Sequence, residues 1–280
     1  MNEMKEDFGT LIYLKKKYLY QMKINIIFKH LSFIVFIIIP SFCYCEGIKD
    51  YLEKGDESYS KFNNVEALSY YEKAHNITPD NFDVLLRLVK TYNAAGEEYY
   101  EYRNRTEAEY YINKALEFAD KFRIKFPDSS AVYTYSAMSN GNIALFKGGK
   151  EKIKYAKLVE QNAKKSISLN PNAYLPYIIL GIYYREIAGL SWLERAFANT
   201  FFGNVPSGSY EESESMLKKA LSFDPNMIVA NYQLAKTYRQ MDRGPDEKSL
   251  LQKVLILPIR DFRDKFAIEK AQKRLNGISK

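Results

Sequence analysis

Few stretches of this 280-residue sequence hold side chains with chemical potential. Gly148-Gly149-Lys150 has the ending of a phosphate loop. Such a loop runs G-x-x-x-x-G-K-[ST], because its hydroxyl ligates magnesium and its first glycine opens the turn. Here Glu151 replaces the hydroxyl, Ala144 stands at the first glycine, and no strand precedes the segment. The spacing therefore predicts a turn between helices with glycine C-caps. The runs Glu97-Glu98-Glu101 and Glu211-Glu212-Glu214 could serve acid–base work or hold cations. Glycosidic chemistry, however, needs two carboxylates facing across a cleft. Both runs are expected in hairpin loops or first helical turns, as solvated acids favoured by the helix dipole. His75, shortly before Pro79, is expected near a helix C-terminus, where a cationic ring is favourable. The tyrosine-rich EEYYEYRNR (97–105) reads as an interaction loop or as the outer face of a lengthened hairpin.

The rest of the composition narrows the chemistry further. Cys43, Cys45 and His30 all precede residue 46, which leaves one histidine and no thiol beyond it. That removes disulfide frameworks, cysteine nucleophiles and most zinc sites. No catalytic, metal or cofactor-binding residue is expected. The net charge is +7, from 41 basic and 34 acidic residues, but six lysines and only three acids fall before residue 46. The remaining surplus is too small to mark a nucleic-acid face. With 27% charged and 46% apolar residues, the chain is neither disordered nor wholly membrane-embedded.

Leu31–Phe42 (LSFIVFIIIPSF) is a run of twelve residues without charge, preceded by Lys23 and Lys29. A transmembrane helix needs ~20 apolar residues, whereas a secretory leader needs ~7–15. Residues 22–45 therefore read as a signal peptide cleaved before Glu46, with 1–21 as an upstream extension from an overlong start. An uncleaved anchor at 31–42 and a lipoprotein are the alternatives. Pro40-Ser41-Phe42 and Phe42-Cys43-Tyr44 suit lipid attachment poorly. The expected destination is outside the cytoplasm, in the periplasm.

The elements that must position any site are helices in a repeat. Residues 48–81 fill a 34-residue frame that resembles a tetratricopeptide repeat (TPR), with Gly55 in the first helix and Ala67, Tyr71 and Ala74 in the second. Matches recur at Leu85, Leu88, Tyr92 and Gly96; at Ala108, Ile112 and Ala115; at Tyr177, Leu180, Gly181 and Tyr184; and at Leu217, Ala220, Leu234, Ala235 and Tyr238. Small residues let two helices approach closely while aromatics fill the grooves between them. Thr78-Pro79-Asp80, Asn170-Pro171-Asn172 and Asp224-Pro225-Asn226 stop one helix and start the next. The predicted fold is an all-α, right-handed TPR-like solenoid. It has five hairpins (about 48–81, 82–127, 129–171, 173–225 and 227–258), a helix in the insertion 190–208, and a charged capping helix within 259–277. Ser191 and Glu194 form a capping-box pair that starts the inserted helix. Its residues Trp192, Leu193, Ala196, Phe197, Thr200 and Phe201 share one broad face.

The segments 181–206 (GIYYREIAGLSWLERAFANTFFGNVP), 147–153 (KGGKEKI) and 254–258 (VLILP) sharpen the resemblance. They resemble bacterial members of the regulator-of-microtubule-dynamics family over roughly residues 48–278. The resemblance implies an all-helical, non-catalytic TPR-type domain, often behind an N-terminal hydrophobic segment in eukaryotic relatives. It brings no catalytic residues.

A solenoid binds on its concave face, which its first helices line. Leu52, Asp56 and Tyr59 are expected there from the first hairpin, and Leu175, Ile178, Ile182 and Arg185 from the fourth. Tyr232, Lys236 and Arg239 are expected from the fifth, with Trp192 and Phe197 contributed by the insertion. Apolar walls with a few fixed charges suit a peptide or an acyl chain. Two functions follow: an adaptor for a protein or peptide partner, or a carrier of a lipid-like molecule enclosed by 190–208. The insertion could instead fill the groove, and Trp192→Ala would then cost ~3–5 kcal/mol.

Overall fold

The computed structural model describes residues 47–278. The expected upstream extension (1–21) and leader (22–45) lie outside the described residues. Among the described residues every regular element is a helix: α1 (47–60), α2 (Asn64–Ile77), α3 (Phe82–Glu101), α4 (Arg105–Lys125), α5 (Ser130–Ala144), α6 (Gly149–Leu169), α7 (Leu175–Ala188), α8 (Trp192–Phe201), α9 (Tyr210–Leu221), α10 (Ile228–Gln240), α11 (Gly244–Ile256) and α12 (Phe262–Ile278). From residue 51 onward they form one unit. The hairpins are α1/α2, α3/α4, α5/α6, α7/α9 and α10/α11, with α8 inserted into the fourth.

Local chemistry sets the boundaries. Pro79, Pro171 and Pro225 fall just after α2, α6 and α9, where a helix cannot continue. Asn81 caps α3 by accepting from the Val84 amide at 3.1 Å, and Ser209 caps α9 by accepting from Glu212 at 3.1 Å. Gly148 and Gly149 open α6 rather than close α5, and Gly149 adopts φ +49°, which only glycine takes cheaply. The glycine pair is thus an N-terminal device, not the pair of C-caps expected.

The hairpins close over small residues. A β-carbon on Gly181 would lie 2.5 Å from Leu217 Cγ, and one on Gly55 would enter the Tyr71 ring. Buried polar side chains join neighbouring helices inside this apolar stack. Asn93 donates to Ser139 at 2.9 Å, Thr134 and Ser166 share a bond at 2.6 Å, and Ser213 bridges the Gly181 carbonyl (2.7 Å) and Thr237 (2.8 Å). Each such bond contributes about 1 kcal/mol net but would cost more if half removed.

The first helices α3, α5, α7 and α10 pack in succession along the inner side. The expected cap behaves otherwise at one point. α12 covers α10 and α11 as a cap should, yet it also reaches across the inner side to α3. The ring of Phe266 meets Tyr102 edge-on at 5.5 Å, Lys270 pairs with Glu101 at 2.5 Å, and Lys265 sits over Phe62 at 4.3 Å.

Candidate functional site

Because α12 crosses the inner side, the concave groove is divided. What remains is a chamber of about 700 Å³, within the usual range for small-molecule sites. α5 contributes Met138, with Leu145 just past its end, and α6 contributes Ile153 and Ala156. α7 supplies Leu175, Ile178, Ile182 and Ile187, while α12 supplies Phe262 and Phe266. The walls are therefore aliphatic and aromatic. Charge is confined to Glu97, Glu101, Arg263 and Lys270 where α3 meets α12, to Glu186 on α7, and to Lys152 and Glu194 near α8.

Arg263 fixes α12 in place. Its guanidinium binds Glu97, pairs with Asp261 at 3.2 Å and touches Met138 Sδ at 3.9 Å. Burial opposes its charge, but the carboxylates of Glu97 and Asp261 hold it cationic. Asp264 locks the entry to α12 by accepting from the amides of Arg260 (2.8 Å) and Asp261 (3.0 Å). Glu97 and Glu101 thus occupy the last turns of α3, not a loop or first turn. Acids are unfavourable at that end of a helix dipole, and the cations of α12 compensate them. Glu211 and Glu212 do sit in the first turn of α9.

The expected groove residues separate by position. Leu175, Ile178, Ile182 and Tyr232 line the chamber. Arg185 is buried behind it, donating to the Gln233 carbonyl at 3.1 Å and pairing with Glu186 at 2.9 Å, which ties α7 to α10. Lys236 is half-buried nearby, its pKa pushed down to about 8 by burial and by the charge of Arg185. Arg239 is exposed. At the other end Leu52 is half-buried, and Asp56 is engaged by Arg87 at 2.8 Å and Tyr71 at 2.7 Å. Tyr59 lies under Lys90 (4.1 Å) and borders a small pocket closed by Arg260, Asp261 and Phe262.

Trp192 and Phe197 do not line the chamber. No residue of α8 is buried; Trp192 is 80% exposed and Phe197 54%. The side of α8 that faces the chamber carries Glu194 and Ala198, followed by Phe202. Arg195 holds this orientation by donating to the carbonyls of Ile187 (2.8 Å) and Pro206 (3.0 Å), while Asn199 accepts from Val205 at 2.7 Å. The insertion therefore roofs the chamber from one side and does not fill it. Among the wall residues that the sequence did not single out are Met138 on α5, Ile153 and Ala156 on α6, and those of α12. Phe262, Phe266 and Lys270 recur every fourth position, a periodicity masked by Arg263, Asp264, Lys265 and Glu269.

His75 corrects another expectation. It lies in the last turn of α2, but burial and then Lys121, 3.2 Å from Nε2, push its pKa down, so the neutral ring is favoured. The tyrosine-rich segment packs as well as faces outward: Tyr99 stacks on Tyr111 at 5.3 Å, and Tyr100 meets Phe146.

A family model described as regulator of microtubule dynamics protein 1-3 matches residues 50–279. The chain belongs to that family. Regulator of microtubule dynamics protein 2 of Bos taurus is 26% identical over 201 residues, which is 71% of this chain and 47% of that protein. Regulator of microtubule dynamics protein 1 of Mus musculus is 29% identical over 168 residues, 60% of this chain and 55% of that one. The chain spans about half the length of these curated relatives. A thermophilic TPR protein of Thermus thermophilus superposes with a TM-score of 0.59 at 18% identity, covering 80% of this chain and 98% of that one. That likeness gives the fold as a TPR-type solenoid of stacked helical hairpins.

Proposed function

We propose that this family member is an exported, non-catalytic binding module whose ligand occupies the chamber, and that the ligand is an elongated apolar chain of the acyl type. One observation carries the reading: α12 lies across the inner side and leaves a space walled by aliphatic and aromatic side chains. An extended peptide would bury backbone amides there with few partners, and each unpaired one is costly. An acyl chain has no such groups, and each methylene removed from water contributes about 0.8 kcal/mol. The charges where α3 meets α12 suit a polar head left at the rim.

Native mass spectrometry of the purified chain is expected to show a retained apolar ligand, released on denaturation. Ala156→Trp, which fills the chamber, should abolish retention while leaving the protein folded by circular dichroism. An Ala156→Trp protein that retains the same ligand would overturn the assignment.

The adaptor reading has its own support in the contact between α12 and α3. Lys270–Glu101 is partly exposed, so a partner segment carrying similar groups could displace α12 and take its place. Export rests on the composition of residues 22–45, and the mature N-terminus by mass spectrometry checks it; retention of Ile34–Ile39 would defeat cleavage. An exported chain meets no microtubules, so that partner is not carried over from the relatives' names.

A further inference from the structure

The outward face of α8 has no role in the chamber, yet it is the most apolar exposed surface contributed by any one described helix. Trp192, Leu193, Phe197 and Phe201 are 80, 62, 54 and 66% exposed, and the rings of Phe197 and Phe201 lie 4.8 Å apart. Exposed apolar residues scattered singly need no explanation, but four on one ten-residue helix do. The fold does not require them there, because α8 buries none of its residues.

The helix against which α8 packs is basic at its start. α8 packs on the start of α6, where Phe202 touches Gly149 and Lys152 bears on Glu194. That stretch, KGGKEKIKYAK (147–157), holds five lysines and one acid. Lys147 is engaged by Glu109 at 3.3 Å and Lys152 borders the chamber, while Lys150, Lys154 and Lys157 are exposed. The only cation within α8, Arg195, is turned inward onto carbonyls. An aromatic face on a short protruding helix, flanked by lysines, has the composition of a helix that lies in the headgroup region of an anionic bilayer. Tryptophan favours that depth, since one end of its ring is apolar and the other wet.

We propose that α8 is a membrane-surface docking helix that seats Trp192, Leu193, Phe197 and Phe201 in an anionic phospholipid bilayer, with the α6 lysines over the headgroups. The assignment stands whatever the chamber holds.

Trp192 is the single tryptophan in the chain, so its fluorescence reports on this face alone. The full chain is mixed with vesicles of phosphatidylcholine, or of phosphatidylcholine and phosphatidylserine, that carry brominated acyl chains. Blue-shifted, quenched Trp192 emission is expected with the anionic vesicles, and its midpoint should move to higher lipid as salt rises. Each lysine near such a surface contributes ~1 kcal/mol, so Lys150→Glu with Lys154→Glu should raise the midpoint at least about tenfold. Phe197→Ser with Phe201→Ser should abolish quenching while leaving the melting temperature unchanged. Attachment through residues 31–42 alone would place protein on vesicles with Trp192 unquenched, and that result would overturn the proposal. So would equal quenching by neutral and anionic vesicles, or a blue shift without lipid in a dimer, which would make a second copy the occupant.

Discussion

Lys236 shows how much one misplaced charge can matter. Burial, reinforced by Arg185, pushes its pKa down to about 8 in the folded chain. The unfolded value is ~10.4. A lowered lysine pKa means that the folded state resists the proton, so this penalty is full below about pH 8 and disappears above the unfolded value. Stability attributable to Lys236 therefore rises between about pH 8 and 10. Lys236→Met should stabilise the protein at pH 7 by ~1–2 kcal/mol, on the scale of an imperfectly solvated charge. Denaturant titrations of the variant and the parent should then converge as pH approaches 10. A gap that stays constant across that range would rule out this account. No local pattern around Lys236 announces such behaviour, because Arg185 lies fifty-odd positions earlier in the chain.

Elements differ in how plainly their composition speaks. The hairpins are written in short-range chemistry: Gly55 against Tyr71 and Gly181 against Leu217 are pairs that a repeat frame exposes directly. α8 was legible as a helix, since its Ser191–Glu194 box is local. Its orientation was not. An amphipathic helix ordinarily turns its apolar face inward, whereas here Arg195 binds the carbonyls of Ile187 at the end of α7 and of Pro206, Asn199 accepts from the Val205 amide, and that face is turned outward. Trp192→Ala should consequently shift stability by less than ~0.5 kcal/mol, as surface changes do, rather than the ~3–5 kcal/mol of a buried aromatic. Thermal melting of the variant decides between them.

At the scale of the whole unit, the unforeseen feature is the path of α12. Its decisive contact, Arg263 with Glu97, joins residues far apart in sequence, and periodicity carries no information about such pairs. Removing one partner of a half-buried, charge-assisted pair costs about 2–3 kcal/mol. Arg263→Ala should lose that much stability. Hydrogen exchange should then quicken in α12 and at the end of α3 together, while the centre of α6 stays protected. Exchange that quickens in α12 alone would mean that the two helices are not coupled. Ordinary solenoids touch only their nearest neighbours and give way from the ends inward. Here the final helix grips the first two hairpins through Phe62, Tyr102, Glu97 and Glu101. A coil spring drawn out by its tips lengthens turn by turn. One whose tail is hooked onto its head becomes a hoop, which holds its girth under load and then yields at the hook in a single event.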